Sequence, residues 1–207
     1  MEEARKRELL GDIREEAQWL IRIVENLLSV TRINGDRMQI HTSEEVVEEV
    51  VGDAVVKFRK RFGQIKVETK LPDEVLMAPM DGILIGQVLI NLMENSALHG
   101  KTTTCITIRV WREENQLAFC VEDDGQGIRE EVLPVMFEGN LQHGEGKESD
   151  AKRNMGIGLS VCMSIIRAHR GTMLARNRAE GGACVLFYIP ATDENPEVYG
   201  GRERHGH

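Results

Sequence analysis

Two asparagine side chains, Asn91 and Asn95, interrupt a run of apolar residues whose spacing is typical of a helix. Residues four apart share one helix face, and asparagine weakens a helix relative to leucine or alanine. The pair therefore suggests a binding role, because an amide oxygen is an uncharged ligand suited to Mg²⁺ and an amide nitrogen can donate to a phosphate. The alternative is that both amides bond within the core or to solvent.

An acidic, glycine-containing segment, residues 123–128, directly follows a predicted strand. Gly125 and Gly127 leave room for a flat ligand to approach the backbone. A buried carboxylate at Asp123 can accept a hydrogen bond from the exocyclic amine of adenine, which is a donor only. The alternative is an ordinary Asp-Gly turn, which is common.

Two further glycine-containing segments lie later in the chain. Residues 156–160 are predicted to begin a helix, where backbone N–H groups and the helix dipole attract an anion. A flexible helix entry is the alternative, and the two glycines at 181–182 are typical of a hairpin turn. Residues 100–102 resemble the end of a P-loop. Asn95 stands where that loop requires glycine, and a helix precedes the segment, so the P-loop is discarded.

The elements that position these segments alternate between helices and strands. The capping-box spacing of Thr42 and Glu45 predicts a helix from Thr42 to about Phe62, and Asp81 is predicted to cap the next helix, over 82–99. A third helix is predicted over 158–170, after a polar loop over 138–155. Alternating apolar and polar residues predict strands over 37–41, 64–70, 105–112, 117–122, 172–176 and 183–189.

This order of elements predicts an α+β fold, a sandwich in which helices cover one face of a single mixed β-sheet. A heptad pattern of apolar residues runs through 1–34 and ends at a helix-stop signal, Asn34-Gly35. One helix cannot bury such a seam, so we expect a partner helix; packing against its own domain is the alternative. The predicted units are this helix at 1–34, a domain at 35–192 and a polar tail at 193–207.

The composition indicates a folded chain and disfavours nucleic acid as a partner. The 207 residues carry a net charge of −8, with 41% hydrophobic and 29% charged residues, and an acidic chain repels phosphate-rich partners. No run is long enough to cross a membrane, so any anchor is expected outside this sequence. Apolar surroundings predict buried free thiols, suited to a reducing cytoplasm, at Cys105, Cys120, Cys162 and Cys184.

In their order along the chain, these segments resemble a known signature. A helix with two asparagines, a DxGxG turn, a long loop, a GxGL segment and a late GG hairpin are similar to the N, G1, G2 and G3 boxes of the Bergerat (GHKL) fold. Gyrase, the Hsp90 chaperone, histidine kinases and MutL share that fold. Phe137 resembles the first phenylalanine of the F box, and the resemblance covers about 38–190. It implies ATP as the ligand and Mg²⁺ as the cofactor.

One position separates the branches of this superfamily. Gyrase, Hsp90 and MutL have a glutamate at the first N-box position, where it activates water; this chain has Asn91, as in sensor histidine kinases. The resemblance therefore implies slow ATP hydrolysis and transfer of the γ-phosphoryl group to another nucleophile. Residues 14–28 resemble the second helix of the dimerisation and phosphoacceptor hairpin, and are most similar to the potassium-responsive, KdpD-like sensor kinases.

The phosphoacceptor histidine of that family is followed by an acidic residue and then Arg-Thr-Pro, a motif that this sequence lacks. The resemblance implies a response-regulator receiver domain as partner and a homodimer formed by the hairpin in the full-length protein. It also implies the cytoplasmic domain of a bacterial inner-membrane sensor kinase, attached through parts outside this sequence. None of the histidines stands in the acceptor context: His41, His99, His143, His169, His205 and His207.

The resemblance also assigns roles to single residues. It places Asn95 on Mg²⁺, Asn91 on the phosphates, Asp123 on adenine, and Gly125 and Gly127 beside the purine, with residues 138–155 as a lid over ATP. The other residues that it assigns to the nucleotide are His99, Ile128, Phe137, Lys152, Gly156, Ile157, Gly158, Leu159 and Gly182, with Lys147 and Arg153 as further lid contacts.

The sequence departs from the family pattern at several positions. Leu98 and His99 stand where many relatives have a basic and then an aromatic residue, a second F-box phenylalanine is not evident near Asn140, and Ala183 replaces a common threonine. Three other functions remain open at this point. They are an ATPase conformational switch, a docking module with a degenerate nucleotide site, and a serine kinase of the anti-sigma-factor type.

Overall fold

The computed structural model describes residues 40–137 and 148–192. Near the start of the chain it describes only positions that are helical: Arg5, Lys6, Leu9, Leu10, Gly11, Ile13, Ala17, Leu20, Ile21 and Val24. The apolar side chains among them are largely exposed, from 58% at Leu9 to 53% at Val24. The rest of the predicted 1–34 helix and the 193–207 tail lie outside the described residues, so the domain boundaries stay a prediction.

The described residues form two β-sheets. The strands are β1 (Ser43–Val46), β2 (Lys66–Lys70), β3 (Met77–Met80), β4 (Cys105–Glu113), β5 (Gln116–Asp123), β6 (Thr172–Asn177) and β7 (Ala183–Pro190). The main sheet has the order β2-β4-β5-β7-β6, with β2 parallel to β4 and the other neighbours antiparallel. β1 and β3 pair as a separate antiparallel ribbon.

Helices cover one face of the main sheet: α1 (Val47–Arg61), α2 (Gly82–His99) and α3 (Glu148–Ala168). Their apolar side chains share a core with Phe119 and Phe187, whose stacked rings lie 4.7 Å apart between centroids. The opposite face carries a smaller buried cluster, packed beneath Trp111 and Tyr188. The predicted α+β sandwich with one mixed main sheet is confirmed. Among the described residues, no helix combines the length and apolarity needed to cross a membrane.

The start of α2 is fixed from two sides. Asp81 Oδ1 accepts hydrogen bonds from the backbone N–H groups of Ile83 and Leu84, each at 3.1 Å, so the predicted cap is confirmed. The buried ring of His169, just after α3, accepts the N–H of Asp81 at Nε2 (3.0 Å) and contacts the carbonyl oxygen of Ile165 through Nδ1 (2.8 Å). Burial lowers the pKa of His169, so the ring is held neutral between the two helices.

The predicted start of the first helix is wrong. Residues 43–46 form β1, and α1 begins at Val47, without a side-chain cap from its N-cap residue Val46. The strand is favoured because it pairs with β3, a strand that the sequence pattern did not predict and that contains Pro79. Within the predicted strand at 37–41, Ile40 and His41 are not in a strand, and 37–39 lie outside the described residues.

The predicted start of the last helix is also wrong. α3 begins at Glu148 rather than at 158, so residues 148–155 are helical instead of forming part of a loop, and 138–147 lie outside the described residues. Alanine, lysine and arginine at 151–153 have high helix propensity, which favours a longer helix. The helix ends two residues before the predicted position, where Arg170 adopts a φ of 57°. The five other predicted main-sheet strands are confirmed within about two residues.

Candidate functional site

A cavity of about 240 Å³ lies between α2, the segment that follows β5, α3 and the start of β7. Most of the exposed surface of its wall is apolar, and its polar side chains come from α2 and from the end of β5 with the segment that follows it. The lining residues are Leu92, Asn95, Ser96, His99, Gly100, Asp123, Gln126, Gly127, Ile128, Arg129, Glu131, Val132, Val135, Met136, Leu159, Ala183 and Val185. An apolar cavity with a few polar groups at fixed positions is typical of a small-molecule site.

Asp123, the last residue of β5, supplies the buried carboxylate of this cavity, with 5% of the residue exposed. Its Oδ1 accepts the N–H groups of Gly125 (2.9 Å) and Ala183 (3.2 Å), and its Oδ2 accepts the hydroxyl of Ser96 (2.9 Å). A carboxylate has about four acceptor positions. Oδ2 therefore keeps a lone pair for a donor that enters the cavity.

The neighbouring carboxylate, Asp124, has a different task. It accepts hydrogen bonds from the N–H and hydroxyl of Thr104 and from the N–H of Cys105. Burial raises the pKa of Asp124, but these hydrogen bonds outweigh that effect, and the pKa of the carboxyl is lowered. Asp124 thus joins the end of β5 to the start of β4 and keeps Asp123 directed at the cavity.

Gly182 allows the β6–β7 turn to lie against Asp123. Its φ is +84°, and a Cβ atom there would come within 1.9 Å of the carbonyl oxygen of Asp123. Arg178, at the other end of this turn, donates to the same carbonyl at 2.7 Å. The GG hairpin therefore positions the backbone behind the carboxylate, and Gly182 itself is not part of the cavity wall.

The segment after Asp123 is held by a residue that the sequence pattern did not single out. Asn177, the last residue of β6, accepts the N–H of Ile128 at 2.7 Å and donates to the carbonyl of Ile128 at 2.6 Å. Gly127 adopts a φ of +79°, and a Cβ there would lie 2.8 Å from Asn177 Oδ1. This two-point contact places Ile128 in the cavity wall. A strand-terminal asparagine was the only local signal for it.

Asn95 brings an amide to the cavity, and its Nδ2 is buried without a hydrogen-bond partner among the described residues. Buried polar groups are normally satisfied, so the amide nitrogen of Asn95 is available to donate to a ligand in this cavity. Asn91, one turn earlier, accepts a hydrogen bond from Gln87 at 3.1 Å and lies outside the lining of this cavity. Beside Asn95, the buried carboxylate of Glu94 pairs with Arg61 of α1.

The structure places the predicted site residues in three groups. Asn95, His99, Asp123, Gly127, Ile128 and Leu159 line one cavity. Asn91, Gly125, Phe137 and Gly182 lie outside its lining; a Cβ on Gly125 would meet Thr103 and Gly100, so this glycine permits a close approach of backbone to backbone. The side chains of Lys152, Arg153 and Ile157 and the whole of Lys147 lie outside the described residues.

Residues 156–160 do not begin a helix, contrary to the sequence prediction. They lie inside α3, which starts eight residues before Gly156. Backbone N–H groups in a helix interior bond to carbonyl oxygens four residues earlier and are not directed at an anion. The assignment of Gly156, Ile157 and Gly158 to phosphates stays a prediction. Gly158 is buried, and a Cβ there would have no heavy atom within 4 Å.

Residues 80–193 of the 207-residue chain match the family described as "Histidine kinase-, DNA gyrase B-, and HSP90-like ATPase". The chain belongs to this family. It therefore has the ATPase-type fold that the order of the four boxes implied, and the residues that line the cavity at Asp123 all lie within the matched range.

Sensor kinases are prominent among the similar proteins. The chain is 41% identical over 190 residues to the sensor protein KdpD of Clostridium acetobutylicum, covering 92% of this chain and 21% of that protein. It thus spans about a fifth of that relative's length. The nucleotide-free catalytic domain of the histidine kinase ThkA superimposes with a TM-score of 0.61 at 26% identity, covering 74% of this chain and 97% of that one.

ThkA has also been solved as a histidine kinase in complex with the response regulator protein TrrA. That structure superimposes with a TM-score of 0.66 at 26% identity, covering 90% of this chain and 50% of the matched chain. The resemblance to the ATP-binding domain of sensor histidine kinases, and to KdpD-like sensors among them, is confirmed. The chain is thus similar to the catalytic domains of histidine kinases.

Proposed function

We propose that this domain binds ATP with Mg²⁺ and transfers the γ-phosphoryl group to a histidine on a hairpin helix outside this sequence. From that histidine the group passes to an aspartate of a response-regulator receiver domain. The observation that carries the proposal is the buried carboxylate of Asp123, held by three donors and facing an apolar cavity. Such a group selects a flat ligand with an amino donor.

Adenine suits the polarity of this cavity. Its exocyclic amine would donate to Oδ2 of Asp123, because Oδ1 already accepts two backbone N–H groups. The ring would lie between the apolar side chains of Leu92 and Ile128 and those of Val132 and Met136. Burying an aromatic ring against such side chains favours binding, while the carboxylate gives specificity for an amino-substituted base.

The amide of Asn95 fits a metal–phosphate group. An amide offers a hard oxygen ligand, and its unpartnered nitrogen can donate to a phosphate oxygen. Mg²⁺, when bound with ATP, neutralises charge that develops during phosphoryl transfer. Arg61 and Glu94 support this residue from behind, since their ion pair fixes the helix turn that carries Asn95.

The side chain at position 91 favours transfer over hydrolysis. An amide cannot take a proton from water, whereas a glutamate at this position could act as a general base. Asn91 is buried and accepts from Gln87, so it is held in one orientation. Transfer then depends on how the acceptor histidine is positioned, which is the usual requirement of phosphoryl transfer.

The similar proteins support a proposal for the partners and the location. The exposed apolar positions from Leu9 to Val24 suit a helix that packs in a dimeric hairpin of the full-length protein. A receiver domain is the expected partner, in line with the ThkA–TrrA complex. We place the domain on the cytoplasmic side of a bacterial inner membrane, attached by segments outside this sequence.

A transfer assay tests the reaction. The full chain, Mg²⁺ and γ-labelled ATP are incubated with the separately expressed phosphoacceptor hairpin of the Clostridium acetobutylicum KdpD relative. Acid-labile, base-stable label on that hairpin is the expected result. Asp123→Asn should lose the label, while Asp53→Asn, a matched change on an exposed position of α1, should keep it.

Three outcomes would contradict the proposal. Rapid release of labelled phosphate without label on the hairpin would favour an ATPase conformational switch. Failure of the chain to bind a non-hydrolysable ATP analogue with Mg²⁺ would favour a docking module with a degenerate site. Acid-stable label on a serine of an added protein would favour the serine kinase alternative.

A further inference from the structure

Two cysteine thiols lie together on the face of the main sheet that the helices do not cover. Cys120 of β5 and Cys184 of β7 are both buried, and their Sγ atoms lie 2.8 Å apart. In the register of these strands Cys120 opposes Leu186, and Cys184 opposes Glu122. The thiols are therefore diagonal neighbours on one face, a separation that side chains can bridge.

The hydrogen bond between the two sulfurs favours a thiolate at Cys184. Arg176 of β6 stands directly opposite Cys184, and its guanidinium also acts to lower the pKa of that thiol. The hydrogen bond between the two sulfurs is the largest cause of a lowered pKa at Cys184, to about 7, and of a raised pKa at Cys120. Cys184 is thus the stronger nucleophile, with a protonated thiol beside it.

The other two cysteines lack this arrangement. Cys162 is fully buried between helices, and its burial raises the pKa to about 12. Cys105 is half-buried, contrary to the prediction that all four thiols are buried. The half-buried side chains of Trp111 and Tyr188 cover the Cys120–Cys184 pair.

The geometry of this cluster is less suited to binding a metal ion than to oxidation of the two thiols. The Glu122 carboxylate lies near both sulfurs and completes a possible set of three ligands. Two thiolates on one tetrahedral Zn²⁺, at about 2.3 Å each, would stand about 3.8 Å apart, whereas these sulfurs lie at 2.8 Å. Arg176 and Arg109 also direct guanidinium groups at Cys184 and Glu122, where an added cation would be repelled.

We propose that Cys120 and Cys184 form an oxidation site, at which a hydroperoxide converts the two thiols into a disulfide that joins β5 to β7. A disulfide requires a sulfur separation of about 2.05 Å, so the atoms must approach by about 0.8 Å from their 2.8 Å separation. A disulfide is cleaved again by thiol–disulfide exchange with a dithiol reductant. The modification is therefore reversible.

The chemical steps balance with hydrogen peroxide as the oxidant. The Cys184 thiolate attacks one peroxide oxygen, the O–O bond breaks, and hydroxide leaves, so that Cys184 becomes a sulfenic acid. Cys120 then loses its proton and attacks the Cys184 sulfur, the S–O bond breaks, and the departing hydroxide takes up that proton as water. Two thiol sulfurs are oxidised, and one peroxide is reduced.

Peptide mapping tests this site in the full chain. The protein is treated with hydrogen peroxide, remaining thiols are alkylated, and non-reduced peptides are analysed by mass spectrometry. We expect a linked pair of peptides containing Cys120 and Cys184, lighter than the free pair by two hydrogen atoms, which a dithiol reductant separates. Cys184→Ser should abolish the linked pair, and Cys162→Ser should leave it unchanged.

Three results would overturn the proposal. The first is full alkylation of both cysteines after peroxide treatment of the native protein, a measurement that needs no variant. The second is a linkage that involves Cys105 or Cys162 instead. The third is one equivalent of zinc retained by the untreated protein, with both thiols protected until a chelator is added.

Discussion

Replacing Asp123 by asparagine separates the two tasks of this residue, because the variant can keep its internal hydrogen bonds while it loses the nucleotide. The amide oxygen can occupy the position of Oδ1 and accept the N–H groups of Gly125 and Ala183. The new amide nitrogen then faces Ser96, whose hydroxyl can accept as well as donate. We therefore expect the stability of the fold to change by less than about 1 kcal/mol.

Nucleotide affinity should respond very differently. The ligand's amine would meet an amide N–H instead of a carboxylate, so a charge-assisted hydrogen bond is lost and two donors face each other. A hydrogen bond to a charged group contributes about 1.5–3 kcal/mol, and an unsatisfied buried donor costs about 1–3 kcal/mol. Together they predict a loss of roughly 100-fold or more in affinity.

Calorimetric titration with a non-hydrolysable ATP analogue and Mg²⁺ measures this loss, with Asp53→Asn as the matched control. Thermal unfolding without ligand checks that the variant is folded. A folded Asp123→Asn protein that binds the analogue as tightly as the original chain would refute the adenine assignment. A variant that binds weakly but also unfolds many degrees lower would show that Ser96 does not reverse its hydrogen bond.

Three further outcomes follow from the structure. Gly182→Ala should lower the free energy of unfolding by more than Gly181→Ala, because both have positive φ but only Gly182 would clash with Asp123; equal melting temperatures would contradict this. Burial lowers the pKa of His169, so the unfolded chain binds a proton at this residue at a higher pH than the folded chain does. The free energy of unfolding should therefore fall by up to about 1.4 kcal/mol per pH unit as the pH drops below about 6.5. Unfolding measured as a function of pH should show a flatter slope for His169→Gln. Asn95→Ala should remove mainly the Mg²⁺-dependent part of ATP-analogue affinity, and an equal loss with and without Mg²⁺ would exclude a metal role.

The parts of the fold that were predictable from sequence have local causes. Asp81 caps α2 through the next residues of the chain, and the apolar periodicity of α2 placed Asn95 on the correct face. Asp123 stood at the end of a strand with a clear apolar alternation, and the structure buries it there. Signals of this kind act within a few residues of the chain. At these positions the tertiary contacts favour the same local structure.

Most of the differences between the sequence prediction and the structure have long-range causes. β1 replaced the predicted start of α1 because it pairs with β3, more than thirty residues later, and no local pattern reports such a partner. Ser96 and Asn177 reach the site through hydrogen bonds to residues far away in sequence. The start of α3 was misjudged for a different reason, since glycines at 156 and 158 reduce helix propensity without forbidding a helix.

The ion pair between Arg61 and Glu94 has a mechanical consequence. It joins the last turn of α1 to the turn of α2 that carries Asn95, and its carboxylate is almost completely shielded from water. Sliding one helix past the other would strand a charge in the protein interior, which is far costlier than separating apolar surfaces. The two helices are thus coupled to move as one body, and a displacement delivered to α1 would reach the amide proposed to hold the metal.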